Sequence, residues 1–274
     1  MSPPYEGEPV VRQFALLLSL AAVALIASCK PPTAATPSTL VVRGGPLLED
    51  VFAEIASRFA AEHPEVDLRA DFTCPPCKLT TRVEEGIDLD VFISAGEVEL
   101  AILGGSGIVD RSTTEHLGRA ELVLAVPPDN PADVTSLGDV HRDSIKRISI
   151  GDPIKTSPGH YAKQAFTAMG LWGEIQPKLN FTETGCKARQ EAVLGYADAA
   201  LLYNFCLHDE AGTPEVIETV DPSLHDPIYI SISTAPGRWS DAAEAFVDFM
   251  FSTETTALLR SYGIKPLDSP KDDS

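Results

Sequence analysis

From Thr39 onward, apolar residues fall into two alternating rhythms. Short runs such as Leu40-Val41-Val42 and Asp90-Val91-Phe92-Ile93-Ser94 have the continuous or alternating pattern of half-buried and buried strands. Longer segments carry apolar residues at helical spacing. Between Leu47 and Ala61 the residues Leu48, Val51, Phe52, Ile55 and Phe59 share one face, and Pro64 stops the run. The pattern predicts strands over 40–42, 66–72, 90–94, 121–126, 148–150, 179–182, 199–203 and 228–233. It predicts helices over 47–61, 79–85, 97–103, 160–169, 187–196, 240–251 and 253–262. Strand–helix alternation points to an α/β fold with mainly parallel sheets flanked by helices. The same grammar occurs twice, so two lobes of similar plan are expected: 39–122 begins the first, 123–222 forms the second, and 223–274 returns to the first. Strand-end loops of such lobes face a cleft, where ligands bind.

The first 38 residues follow another logic. Arg12 precedes an apolar run of thirteen residues, Phe14 to Ile26, too short to span a bilayer comfortably and suited to a signal segment. The run ends in Ile26-Ala27-Ser28-Cys29, which resembles a bacterial lipobox with Cys29 as the lipidated first residue of the mature chain. Glu6 and Glu8 are unusual in such a leader and place its start near Val10 or put the true start codon downstream. Residues 1–28 therefore read as a signal peptide. Residues 29–38, rich in Pro, Ala and Thr, read as a tether too polar to fold. The 274-residue chain has a formal net charge of -19 and no basic stripe, which excludes a nucleic-acid partner. No Gly-x-Ser-x-Gly, P-loop or His-Glu-x-x-His string marks an enzyme. Gly104-Gly-Ser-Gly107 follows a helix and reads as a turn.

Four further cysteines lie at the ends of regular elements. Cys74 and Cys77 bracket Pro75-Pro76 between a strand and a helix, and Cys186 and Cys206 sit far away in sequence. In an exported chain the bland reading is two disulfides, Cys74–Cys77 and Cys186–Cys206. A second is a thiol–disulfide enzyme using Cys-Pro-Pro-Cys, and a third is a soft-ligand site. His208 beyond Cys206 is read as a surface histidine, and Asp209 and Glu210 as solvated.

Several strings resemble one family. Asp90-Val-Phe-Ile-Ser-Ala95, Leu122-Val-Leu-Ala-Val-Pro127, Ile150-Gly-Asp-Pro153 followed by Pro158-Gly-His-Tyr-Ala-Lys163, Gly170-Leu-Trp172, Pro177-Lys-Leu179, Tyr203 and Tyr262-Gly263 occur in order. Together they are similar to the molybdate-binding proteins of ABC importers, over about Thr39 to Ile264. The resemblance implies a two-lobed periplasmic-binding-protein (Venus-flytrap) fold and no catalysis. It also implies a monomer that hands an inorganic ion to a permease in the inner membrane. With Cys29 lipidated, the chain would be anchored at the cell envelope.

At the family's ligand loops this sequence departs. Gly45-Pro46-Leu47 stands where an Ala-Ser pair is usual, and Cys74-Pro-Pro-Cys77 where serines are usual. Pro158 offers no amide N–H, and Cys186 follows Gly185 in the fourth loop. Tyr203 is kept, and Cys206 replaces a residue that is usually acidic. Thiols are weak donors. Helix starts and the neighbouring Lys78 and Lys187 favour thiolates at Cys77 and Cys186, and thiolates oppose a free oxyanion. A unit like charge at about 4 Å costs roughly 4 kcal/mol at an effective dielectric of about 20. The expectation is a thiophilic ion such as Zn(II), Cu(I) or trivalent arsenic held by Cys74, Cys77, Cys186 and Cys206, with Tyr203, Gly45, Pro46 and Pro158 in the pocket wall. Ordinary molybdate or tungstate binding, with the cysteines as disulfides, is the alternative. No organic cofactor is expected.

Overall fold

The computed structural model describes residues 38–73, 76–207 and 212–267. They form two five-stranded sheets. The first comprises β1 (Ser38–Gly44), β2 (Val66–Asp71), β3 (Val91–Ala95), β4 (Asp110–Ala120) and β10 (Ile228–Thr234), in the order β2-β1-β3-β10-β4. The second comprises β5 (Leu122–Val126), β6 (Ile148–Gly151), β7 (Leu179–Thr182), β8 (Ala199–Tyr203) and β9 (Glu215–Thr219), in the order β7-β6-β8-β5-β9.

In both sheets the βαβ strands pair in parallel, β1 with β2 and β3, and β6 with β7 and β8. The sheets as a whole are mixed. β10 runs antiparallel to β3 and β4, and β5 antiparallel to β8 and β9. The expected α/β class with two helix-flanked sheets holds; the antiparallel sense of β10 against β3 and of β5 against β8 is not encoded in the apolar pattern, which marks strands but not the direction in which they pair.

The helices are α1 (Glu49–Glu62), α2 (Pro76–Glu84), α3 (Glu97–Gly105), α4 (Ser157–Ala168), the short α5 (Trp172–Ile175), α6 (Gly185–Val193), α7 (Asp241–Met250) and α8 (Thr253–Ser261). A 3-10 turn, Pro46–Leu48, leads into α1. The apolar face of α1 is buried at Val51, Phe52, Ile55 and Phe59, each at most 1% exposed. Phe59 meets Phe246 and Phe249 of α7 edge-on at 5.1 and 5.4 Å, so α7 returns to pack beside α1. Among the described residues no helix is long and apolar enough to cross a membrane.

The passage between the sheets is short and tied down. Only Glu121 separates β4 from β5. Asn204, just past β8, accepts from the Glu121 N–H at 3.0 Å and donates to the Gly263 carbonyl at 2.7 Å. Arg119 and Lys265 exchange backbone hydrogen bonds at 2.7 and 2.8 Å. One buried apolar cluster runs through both sheets at this joint, including Leu122, Leu124 and Tyr203 on one side and Leu117, Ile228 and Ile264 on the other.

Candidate ligand-binding site

A cleft opens between the two sheets. The first lobe contributes Gly45–Leu48, Phe92–Ala95 and Glu99, and the second contributes Lys155, Thr156, Pro158 and Glu183–Gly185. These are strand-end loops and helix starts, the positions that strand–helix alternation predicts for a site.

Two helix N-termini of the second lobe reach it. α4 is capped by Thr156, whose Oγ1 accepts from the Gly159 N–H at 3.3 Å, and α6 by Thr184, whose hydroxyl accepts from Lys187 at 3.2 Å. Pro158 is the second residue of α4, where a missing N–H is tolerated. Gly159 is required by packing: a Cβ there would lie 2.0 Å from the Gly151 carbonyl oxygen.

The first lobe meets α4 head-on. The Ser157 N–H donates to Glu99 Oε1 at 3.0 Å, and the Ser157 hydroxyl donates to Glu99 Oε2. That hydroxyl accepts in turn from the Val98 N–H at 3.0 Å, and Tyr161 Oη accepts from the Glu97 N–H at 3.3 Å. The first turns of α3 and α4 thus satisfy one another across the lobes. Gly96 permits the approach. Its φ of +109° favours glycine, and a Cβ would lie 2.5 Å from Ser157 Cβ. With the His160 N–H bonded to the Thr156 carbonyl, none of the backbone N–H groups at residues 157–160 of α4 is left for a ligand. Burial pushes the Glu99 carboxyl pKa up, and the two Ser157 hydrogen bonds only partly offset it.

Ser94, on β3, also lines the cleft. It is 2% exposed, and its Oγ has no hydrogen-bond partner among the described residues. Lys155 pairs with Asp152 at 3.1 Å. At the rim Lys78, in the first turn of α2, reaches Glu183 at 2.7 Å, so the helix that begins with Pro76-Cys77 stands opposite the loop that leads into Cys186.

The sequence-selected residues divide as follows. Gly45, Pro46 and Pro158 line the cleft. Tyr203 is fully buried at the end of β8, and its hydroxyl donates to the Ala95 carbonyl at 3.0 Å, joining the lobes rather than standing open to a solute. Burial, with Tyr161 and Glu99 nearby, keeps its phenol protonated. Cys186 is the second residue of α6 and is half-buried.

Cys206 is buried, and its Sγ donates to the Tyr203 carbonyl at 3.3 Å. Burial first, then the neighbouring Cys186, pushes its pKa up to about 12, so in this arrangement Cys206 is a thiol. Cys186 and Cys206 are not joined as a disulfide. Cys74 and His208–Glu210 lie outside the described residues, as does the side chain of Cys77. Among the described residues no group of three His, Cys, Asp or Glu side chains is arranged to hold a metal.

Sequence reasoning missed Glu99 and Ser94. Glu99 is the third residue of α3, where an acid ordinarily serves its own helix N-terminus. Nothing in the local string tells that it turns to another helix.

Two helix-flanked sheets with a cleft built from the loops of both define a two-lobed binding protein. The sequence model of the bacterial extracellular solute-binding proteins matches residues 40–265, and the chain belongs to that family. It is therefore a non-enzymatic solute-binding component of bacterial transport.

The relatives agree with that assignment. YvgL of Bacillus subtilis, provisionally named an ABC transporter substrate-binding lipoprotein, is 23% identical over 256 residues, 90% of this chain and 95% of YvgL. The molybdate-binding protein ModA of Haemophilus influenzae is 24% identical over 226 residues, 79% of this chain and 85% of ModA. The periplasmic molybdate-binding protein of Azotobacter vinelandii shares the fold with a TM-score of 0.68 at 17% identity, over 84% of this chain and 100% of that one.

Proposed function

We propose that this chain is the substrate-binding lipoprotein of a molybdate-type ABC importer, and that its cleft captures a thiophilic cation or metalloid rather than a free oxyanion. The full-length similarity to a substrate-binding lipoprotein and to ModA proteins supports the importer role. Anchoring through Cys29 and delivery to a membrane permease and its ATPase follow from that role.

The observation that carries the ligand reading is the Lys78–Glu183 ion pair. It spans the lobes from the residue after Cys77, in the first turn of α2, to the loop that leads into Gly185-Cys186 at the start of α6. Cys206 lies close enough to Cys186 for the two to interact electrostatically. Thiols from opposite lobes around one small ion would hold the cleft shut, which is how a carrier of this kind signals loading. A soft divalent ion or arsenite suits three or four sulfur ligands, and binding it as thiolates releases protons, including the one that burial keeps on Cys206.

Elemental analysis of the mature protein, purified under reducing and chelator-free conditions, tests this together with a thiol count. About one equivalent of zinc, copper or arsenic is expected, with thiols that react only after its removal. Replacing Cys74, Cys77, Cys186 and Cys206 together by Ser should abolish uptake. Stoichiometric molybdenum or tungsten, retained by the serine variant, would overturn the soft-ion reading and leave the importer role standing.

A further inference from the structure

The carboxylate of Glu99 stands where α4 would otherwise meet an anion. Its two oxygens take the Ser157 N–H and the Ser157 hydroxyl. The Ser157 hydroxyl oxygen also accepts from the Val98 N–H, so the Glu99 carboxyl and the first turns of α3 and α4 share one hydrogen-bonded cluster. The two Ser157 hydrogen bonds favour the ionised carboxylate, against burial, which opposes it. The other positive element of the lining, Lys155, is engaged by Asp152, and Glu183 by Lys78. Within the same cleft the buried Ser94 hydroxyl has no partner among the described residues, and such a group in a native fold calls for one.

We infer that Glu99 is the charge selector of the cleft: it holds the anion position at the head of α4, excludes dianionic oxyanions, and, with Ser94 Oγ as a neutral oxygen donor, favours a cation. The inference rests on reading the cleft as the solute site and the solute as a cation. It adds a residue from the first lobe that acts on the ligand's charge independently of the cysteines. Two effects combine. An oxyanion brought to α4 must displace a carboxylate from its donors and then sit beside a like charge in a poorly hydrated space. A cation leaves the Glu99–Ser157 bonds in place and supplies the counter-charge that the buried carboxylate lacks.

The test is titration calorimetry of the mature reduced protein with sodium sulfate, sodium molybdate and zinc chloride, comparing wild type with E99Q, E99A and E99D. Opposite shifts are expected. Sulfate and molybdate affinity should rise at least about tenfold in E99Q and further in E99A, which also vacates the Ser157 donors, while zinc affinity falls by about tenfold in both. E99D keeps the charge and should keep the rejection. A purely structural role would move both ligand types in the same direction. Shifts in the same direction, or oxyanion affinities equal to wild type in both neutral variants, would overturn the inference.

A separate arm distinguishes this from failure of the soft-ion reading. The variant with all four cysteines changed to Ser should still reject sulfate if Glu99 is the selector. Undiminished zinc binding by that variant would sink the thiol reading and leave Glu99 untouched.

Discussion

The heads of α4 and α6 make an instructive pair. Both follow a strand of the second sheet, both are capped by a threonine, and both enter the cleft. In isolation each would be an anion site, with partial positive charge and unsatisfied N–H groups. The first lobe decides otherwise at α4, where the α3 turn docks and Glu99 takes the donors. At α6 the first lobe brings Leu47, whose Cδ1 would lie 3.1 Å from a Cβ on Gly185, and, at the rim, Lys78 on Glu183; no carboxylate of the first lobe is seen on the α6 donors among the described residues. The site's chemistry is thus set across the gap as much as by the helices themselves.

The glycines offer the sharpest way to break that symmetry. Gly159→Ala puts a methyl 2.0 Å from a backbone oxygen that cannot step aside and should destabilise the fold by about 3 kcal/mol or more. Gly185→Ala meets chiefly the ends of the Leu47 side chain, which can give way, and should cost under about 1 kcal/mol, while its added methyl hinders closure and weakens ligand binding. Urea unfolding with a calorimetric titration separates the two. Equal stability losses would contradict the contrast.

A smaller difference is expected from the caps. Thr156→Ala loses an acceptor for Gly159 and a bond to the Asp152 carbonyl at a buried position, and should cost about 1–2 kcal/mol. Thr184→Ala, at a more accessible cap, should cost about 0.5–1 kcal/mol. The same denaturant series measures both.

The smallest effect is on pH dependence. Glu99 has a folded-state pKa above its ordinary value, so in the window between the two the folded chain holds more protons than the unfolded one. Stability from this group therefore falls as pH rises through that window and stays lower above it. The Glu99→Gln variant should show a flatter stability profile there, with other groups nearby, Lys155, Glu183, Tyr161 and Tyr203, present in both proteins. A profile parallel to wild type would count against a raised pKa.

Much of the fold was legible because burial imposed a period on the sequence. α1 and the strands around Val91–Ala95 and Ala199–Tyr203 are buried where the apolar pattern required. β4 was not legible. Its string Asp-Arg-Ser-Thr-Thr-Glu-His-Leu-Gly-Arg-Ala is largely polar, and it lies at the sheet edge where only its last residues are buried. Its pairing with β10 is carried by the backbone and by polar links such as Thr114–Ser233 and His116–Ser231. β9, another edge strand, is equally exposed. Of the site, Gly45-Pro46 and Pro158 could be found through the resemblance to the molybdate-binding proteins, whose ligand-loop positions they match in order; the apolar pattern alone marks only the break after β1. Glu99 and Ser94 could not, since a helix-start acid and a strand serine look ordinary until the lobes are assembled.

The position of β10 has a consequence for how the molecule comes into being. The second sheet draws all its strands from the continuous stretch between Leu122 and Thr219. The first has β10 between β3 and β4, and β10 is the strand that β4 pairs with in that sheet. As the chain grows from its N-terminus, the second lobe has all its strands before the first can join β4 to β3. The earlier-made half waits, with β3 and β4 exposing unpaired edges, until about a hundred more residues have followed. For an exported chain this interval is the stretch of its life most open to aggregation and to mispaired thiols, since Cys186 and Cys206 fall within it.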